Sequence, residues 1–262
     1  MTETALIAGA EPWSSQGEGA RAGTGVAVLH GFTGNPRSVR PLAERIHAAG
    51  FTVDMPLLPG HGTEWRDLAK TRYLDWRGAV EAVVDRLVER CDRVILVGLS
   101  LGGTLALDVG SRRPEDVAGI AAINPQILDP EQPLAKLNPI LQYIIPAAPR
   151  DLAGMPSDDI AKPGADEGAY KMVPAKAAQS LISELPRLRA QLTDLSTPLL
   201  VAYSPQDHTV PAKNSEALVD LVASDDVETL VLERSYHVAT LDWDQEQLED
   251  AIVAFVERLH GG

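Results

Sequence analysis

Cysteine, positive charge and long apolar runs are all scarce in this sequence, and each scarcity removes a class of protein. A single cysteine, Cys91, cannot close an internal disulfide, which argues against a disulfide-held secreted scaffold. The start Met1-Thr-Glu-Thr-Ala-Leu-Ile-Ala8 lacks the basic region and longer apolar core of a secretory signal. Together these predict a cytoplasmic protein, with Cys91 a partly buried structural thiol. No uninterrupted apolar run is long enough to span a bilayer, so only transient contact with a lipid surface stays open. With 23 Lys and Arg against 37 Asp and Glu, the net charge of −14 repels polyanions and excludes nucleic-acid partners. The chain is otherwise ordinary for a globular protein, with 45% hydrophobic and 23% charged residues. Its 262 residues suit one large domain or a domain carrying an insertion.

What is there is an alternation of strands and helices. Residues 1–22 read as a lead-in with a short strand near Pro12-Trp13. Val26–Leu29 and Val94–Val97 read as buried strands, and Phe51–Asp54, Val117–Ile123, Leu199–Tyr203 and Glu228–Leu232 as further strands. Between them lie helical patterns at Pro41–Ala49, Tyr73–Glu89, after Ser100, and at Ala212–Val222, with a last one at Gln245–Leu259. The alternation predicts a mostly parallel, doubly wound α/β sheet of six or seven strands. It breaks between Asn124 and Thr197, where ten prolines interrupt an apolar stretch. The expected division is a core of 1–124 and 197–262 with a cap or lid insertion at 125–196. Within the insertion, Asp151 to Gly168 reads as mobile loop, and Ala175 to Leu192 as a helix that Pro186 breaks or kinks.

The chemistry centres on Gly98-Leu99-Ser100-Leu101-Gly102. An apolar run precedes it and a helical stretch follows, which is the sequence form of a nucleophile elbow. Small neighbours permit the sharp turn that lifts a serine hydroxyl out at the carboxyl end of the sheet, where open α/β sheets bind ligands. A serine hydroxyl is a weak nucleophile and needs a base, itself held by an acid. His237 follows the last strand by a short loop and is the best placed of six histidines. Asp207 lies just past the strand Leu199–Tyr203 and fits the chain order Ser, Asp, His. Asp242 falls after His237 and suits a supporting hydrogen bond; Asp194 precedes the strand. His208 reads as a loop residue. Two backbone donors are needed for the oxyanion, and Leu101 N–H and Phe32 N–H are the candidates. His30 and His61 read as structural. No metal-ligand spacing and no strand-borne G-x-G-x-x-G is present, so no metal or cofactor is expected.

Taken together, His30-Gly-Phe-Thr-Gly34, Pro59-Gly-His-Gly62, Gly98-Leu-Ser-Leu-Gly-Gly103, Asp207 and His237-Val238 resemble the bacterial carboxylesterase and monoacylglycerol lipase family of α/β-hydrolases, over most of residues 24–260. The resemblance implies the α/β-hydrolase fold with a small cap and a triad of Ser100, Asp207 and His237. It also implies an oxyanion hole of Phe32 and Leu101, and short- to medium-chain esters or monoacylglycerols as substrates. Acyl length and head group do not transfer, because the cap matches no quotable pattern. Acyl transfer, thioester hydrolysis, and peptide or carbon–carbon cleavage stay open on the same scaffold. So does a non-catalytic binder of an apolar ligand, while oligomeric state is not readable. The apolar side chains Ile127, Leu137, Ile140, Leu141, Ile144 and Ile145 are expected to line an acyl tunnel above Ser100.

Overall fold

A computed structural model describes residues 5–156 and 158–261. In chain order its first half contains strand β1 (Trp13–Ser15), β2 (Thr24–Leu29), helix α1 (Arg40–Ala48), β3 (Thr52–Met55), α2 (Trp65–Leu68), α3 (Tyr73–Val88), β4 (Arg93–Leu99) and α4 (Leu101–Arg112). The second half contains β5 (Val117–Ile123), α5 (Pro133–Leu141), β6 (Ala147–Pro149), β7 (Met172–Pro174), α6 (Ala175–Leu192), β8 (Leu199–Tyr203), α7 (Lys213–Leu221), β9 (Val227–Val231) and α8 (Gln245–His260). Seven strands form one sheet in the order β1-β3-β2-β4-β5-β8-β9. Among the described residues of this sheet, only β1 runs antiparallel to its neighbour.

The strands are legible as apolar runs because helices cover both faces of the sheet. On β2, Ala27 and Leu29 join the core formed with α3, α4 and α6, whereas Val26 and Val28 join the one formed with α1 and α8. Parallel strands all present their carboxyl ends at one edge. The loops after β2, β4, β5, β8 and β9 therefore converge there. Cys91 sits half-buried before β4, where burial pushes its thiol pKa up.

Between β5 and β8 the structure departs from expectation in two ways. The helix α6 runs unbroken through Pro186. Proline removes one backbone donor, but Leu181, Leu185, Leu188 and Leu192 anchor the helix on both sides by burial in the core. The prolines ahead of it do not prevent structure either: Pro133 opens α5, where a missing N–H costs nothing, and β6 pairs antiparallel with β7. The stretch from Asp151 to Gly168, expected as mobile loop, has little regular structure but is pinned by its own buried carboxylates, Asp159 and Glu167.

Candidate active site

Ser100 joins β4 to α4 with φ +55° and ψ −117°, a backbone conformation that a non-glycine residue adopts only under constraint. The constraint is close packing. A Cβ at Gly98 would overlap the Gly102 carbonyl, and one at Gly102 would overlap the Leu29 carbonyl, so both positions require glycine. Ser100 N–H donates to Ile123 O at 2.8 Å, tying the turn to β5. Leu101 is the first residue of α4, and its N–H belongs to the opening turn that has no intrahelical acceptor.

The loop after β9 brings His237 to the loop after β8. His237 Nδ1 stands 2.6 Å from Asp207 Oδ2, with the carboxylate side chain fully buried. The second Asp207 oxygen accepts the N–H groups of Thr209 and Val210, each at 2.7 Å, which fixes the carboxylate's orientation. Burial pulls the His237 pKa down, but the Asp207 charge and hydrogen bond, with Asp159 and Glu167 beyond it, outweigh this and raise it. With Nδ1 on Asp207, Nε2 is the nitrogen left for proton transfer.

Gly31 brings the loop after β2 against the nucleophile: a Cβ there would lie 3.4 Å from Ser100 Cβ. Phe32 is buried, its ring tilted by 55° against that of Trp76 with the centroids 5.6 Å apart. His30 takes no part in the cavity wall. Its Nδ1 donates to Gly31 O at 3.0 Å and its Nε2 accepts from Leu58 N at 3.1 Å, and burial lowers its pKa to about 4. His61 is held neutral in the same way, by burial and then by neighbouring His30.

Among the described residues four non-glycine ones have positive φ, and these, Thr33, Ser100, Asn124 and Asp158, all lie at the site edge or in the segment above it. Thr33 shows how that segment reaches down. Its hydroxyl accepts from Arg150 at 3.2 Å, its carbonyl accepts from Tyr170 N–H at 2.9 Å, and Arg150 pairs with buried Glu167 at 3.2 Å. Burial pushes the Glu167 carboxyl up against the opposing pull of Arg150 and His237. Asn124 ties the triad loops together, donating to His237 O and accepting from Ser204 N–H, both at 2.8 Å. Asp242 accepts from Tyr236, Trp243, Ala161 and Lys162 N–H groups, a supporting position rather than a second triad acid.

A cavity of about 280 Å³ opens onto Ser100 between Phe32 and Leu101 and the β5–β8 segment. The expected tunnel residues divide. Leu141 and Ile145 line it; Ile127, Leu137, Ile140 and Ile144 do not. Ile127 is buried in the core directly after β5, its N–H held by Asn214 Oδ1 at 3.1 Å. Leu137, Ile140 and Ile144 lie exposed on the outer side. Helical spacing explains this, since Leu134, Asn138, Leu141 and Ile145 share the face toward the cavity. Counting that period along 133–145 was the signal that separates the two sets. Asn124, Arg150, Asp159 and Glu167 were missed for another reason: their partners are distant in sequence. Only Asn124 carried a cue, a turn-forming residue immediately after a buried strand.

Comparison with known proteins agrees with this geometry. Residues 21–244 match the family described as serine aminopeptidase, S33 (Hydrolase_4). The thermostable monoacylglycerol lipase of Bacillus sp. (strain H-257) is 35% identical over 98% of both chains. The carboxylesterase of Bacillus subtilis (strain 168) is 27% identical over 89% of this chain and 92% of its own. The structure reported for LipS and LipT, two metagenome-derived lipolytic enzymes, superposes with a TM-score of 0.90 at 36% identity, covering 97% of this chain and 100% of that one. The monoacylglycerol lipase of Paleococcus ferrophilus, with a TM-score of 0.78 at 18% identity over 95% and 99% of the chains, shares the fold. The match across 21–244 and the full-length relative at 35% identity show that this chain belongs to the serine aminopeptidase S33 (Hydrolase_4) family of α/β-hydrolases.

Proposed function

We propose that Ser100, His237 and Asp207 cleave carboxylic esters through an acyl-enzyme, with the Phe32 and Leu101 amides stabilising the oxyanion. The chain is a serine ester hydrolase of the carboxylesterase and monoacylglycerol lipase kind. The observation that carries the mechanism is the buried 2.6 Å Asp207–His237 pair at the sheet edge that also bears the strained Ser100. His237 Nε2 takes the Ser100 proton as the hydroxyl oxygen attacks the ester carbonyl, then returns it to the leaving alcohol. Water repeats the sequence on the acyl-enzyme and releases the acid. Asp207 orients the imidazole and stabilises its charged form throughout without taking the proton.

The cavity wall supports an ester over a peptide despite the family's name. No Asp or Glu lines it, so among the described residues nothing there would anchor the charged amino terminus of a peptide. Its size and apolar wall suit a short to medium acyl chain. Leu137, Ile140, Tyr143, Ile144 and Leu152 of the β5–β8 segment are exposed, and this supports transient contact with the lipid aggregate from which an acylglycerol is drawn. In this reading the segment 125–196 acts as cap. Among the described residues no helix is long and apolar enough to cross a membrane. A cytoplasmic setting accords with the lone Cys91.

Release of p-nitrophenol from acetate, butyrate, octanoate and palmitate esters, alongside glycerol release from a monoacylglycerol, tests the reading. Wild type should favour butyrate and octanoate, hydrolyse the monoacylglycerol and leave an amino-acid p-nitroanilide intact. Ser100→Ala should turn over none of them. Preferred cleavage of the anilide would overturn the ester reading.

A further inference from the structure

Asp159 has no place in the proton path, yet it is only 4% exposed and lies among the groups that hold the acid and the base. One carboxylate oxygen accepts the His208 N–H at 3.0 Å and the Thr209 hydroxyl at 3.2 Å, and the other stands 2.8 Å from His208 Nδ1. Its main-chain carbonyl accepts the Val238 N–H at 3.1 Å. His208 and Thr209 immediately follow Asp207, and Val238 immediately follows His237. One residue of the β5–β8 segment therefore grips both triad-bearing loops just past their functional side chains. The neighbouring contacts reinforce the grip. The His208 ring packs edge-on against Tyr236 at 4.6 Å, and Asp242 binds Ala161, Lys162 and Tyr236 N–H groups together on the other side of His237.

We infer that Asp159 is a positioning residue for the Asp207–His237 pair, setting the separation and orientation of the two loops from the segment that covers them. The inference rests on the triad reading above. The chemistry of its partners explains the residue type. The two groups on one oxygen are both donors, and a His208 Nδ1–H completes the set, so an acceptor-only carboxylate satisfies all three where an amide would turn a donor toward one of them. The charge has its own consequence. His237 faces three carboxylates, Asp207, Asp159 and Glu167. Arg150 pairs with Glu167, Asp158 lies near that pair, and His208 pairs with Asp159. Removing the Asp159 charge therefore lowers the affinity of His237 for its proton, and so does any loosening of the Asp207–His237 pair that Asp159 holds, whereas a loss of stability that leaves the pair intact does not.

The test compares wild type with Asp159→Asn and His208→Ala in the full chain. It uses p-nitrophenyl butyrate kinetics across pH, NMR titration of the His237 imidazole and thermal melting. Asp159→Asn should lower kcat about 10- to 100-fold with KM within about twofold of wild type, as expected when reacting groups are displaced without loss of the substrate pocket. Both the acid limb of kcat/KM and the His237 NMR pKa should move down by about half a unit or more. His208→Ala, which keeps the carboxylate, should lower kcat less and leave the His237 pKa no lower than in wild type. A fall in kcat that tracks melting temperature with no movement of the His237 pKa would overturn the inference, as would a change confined to KM. If wild type hydrolyses no ester, the hydrolase reading falls. The NMR titration still decides for Asp159, because an unmoved His237 contradicts the inference and a lowered pKa upholds it.

Discussion

The carboxyl edge of the sheet and the segment above it are built on opposite terms. At the edge every candidate catalytic group follows a strand of the sheet directly or by a short loop, and is closely held: Ser100 sits between glycines that carbonyl groups press against, and both Asp207 carboxylate oxygens accept hydrogen bonds. Above it, α5 and the residues after it leave Ile140 67% exposed, Tyr143 77% and Ile144 75%. The candidate catalytic groups are thus held by elements that cannot shift without opening the core, while the outer side chains of the upper segment can be exchanged without unfolding anything. The two regions are not independent, because Arg150 donates to Thr33, Asp159 accepts from His208 N–H and the Glu167 carbonyl accepts from Asn35.

The comparison breaks first at the nucleophile. Ser100→Ala should lower kcat on p-nitrophenyl butyrate by at least about 10⁴-fold, with the melting temperature within a few degrees of wild type. Next comes the buried ion pair that holds Arg150 against Thr33, where the upper segment meets the loop after β2. Arg150→Met leaves the buried Glu167 unpaired and should cost about 3–5 kcal/mol in urea denaturation, whereas Arg150→Met with Glu167→Leu should recover most of it. If the single variant proves as stable as wild type, the pair contributes nothing to holding that junction.

Smaller effects sharpen the distinction between the inner and outer faces of the segment. Ile145→Asp places a charge in the cavity wall and should lower kcat/KM on octanoate about tenfold or more, with less effect on acetate. Ile140→Asp should leave both unchanged in solution and slow hydrolysis only of aggregated acylglycerol. Equal losses for the two variants would erase the distinction. The smallest effect is in pH. His237 must be neutral to act and its pKa is raised, so the acid limb of kcat/KM should have its midpoint above the ordinary histidine value of about 6.5 and activity should fall below it. A midpoint below that value would mean that burial outweighs the carboxylates around the imidazole.

The sequence made the lower region legible and the upper one much less so, for physical reasons. Strands buried on both faces leave continuous apolar runs, as in Val94–Val97 within β4. The elbow is written in five consecutive residues, and chain order separated Asp207 from Asp242, which proves to hold backbone N–H groups. The short antiparallel β1 was visible near Trp13. In the upper segment prolines obscured both α5 and the β6–β7 pairing, because proline at a helix start or in a two-stranded edge is tolerated. Apolar content alone does not tell Leu141 from Ile140, since orientation depends on a helix that the surrounding prolines conceal in the sequence. No local pattern joins Arg150 to Thr33 and Glu167, or Asp159 to residues some fifty positions later. Such contacts exist only once the fold brings them together.

The central claim is tested most directly by treating the protein with a p-nitrophenyl alkylphosphonate, which stops at the first covalent stage, and mapping the adduct by mass spectrometry. The account predicts stoichiometric p-nitrophenol release, loss of esterase activity and a single adduct on the peptide containing Ser100, absent from Ser100→Ala. An adduct on a different residue, or esterase activity that survives complete labelling of Ser100, would contradict it.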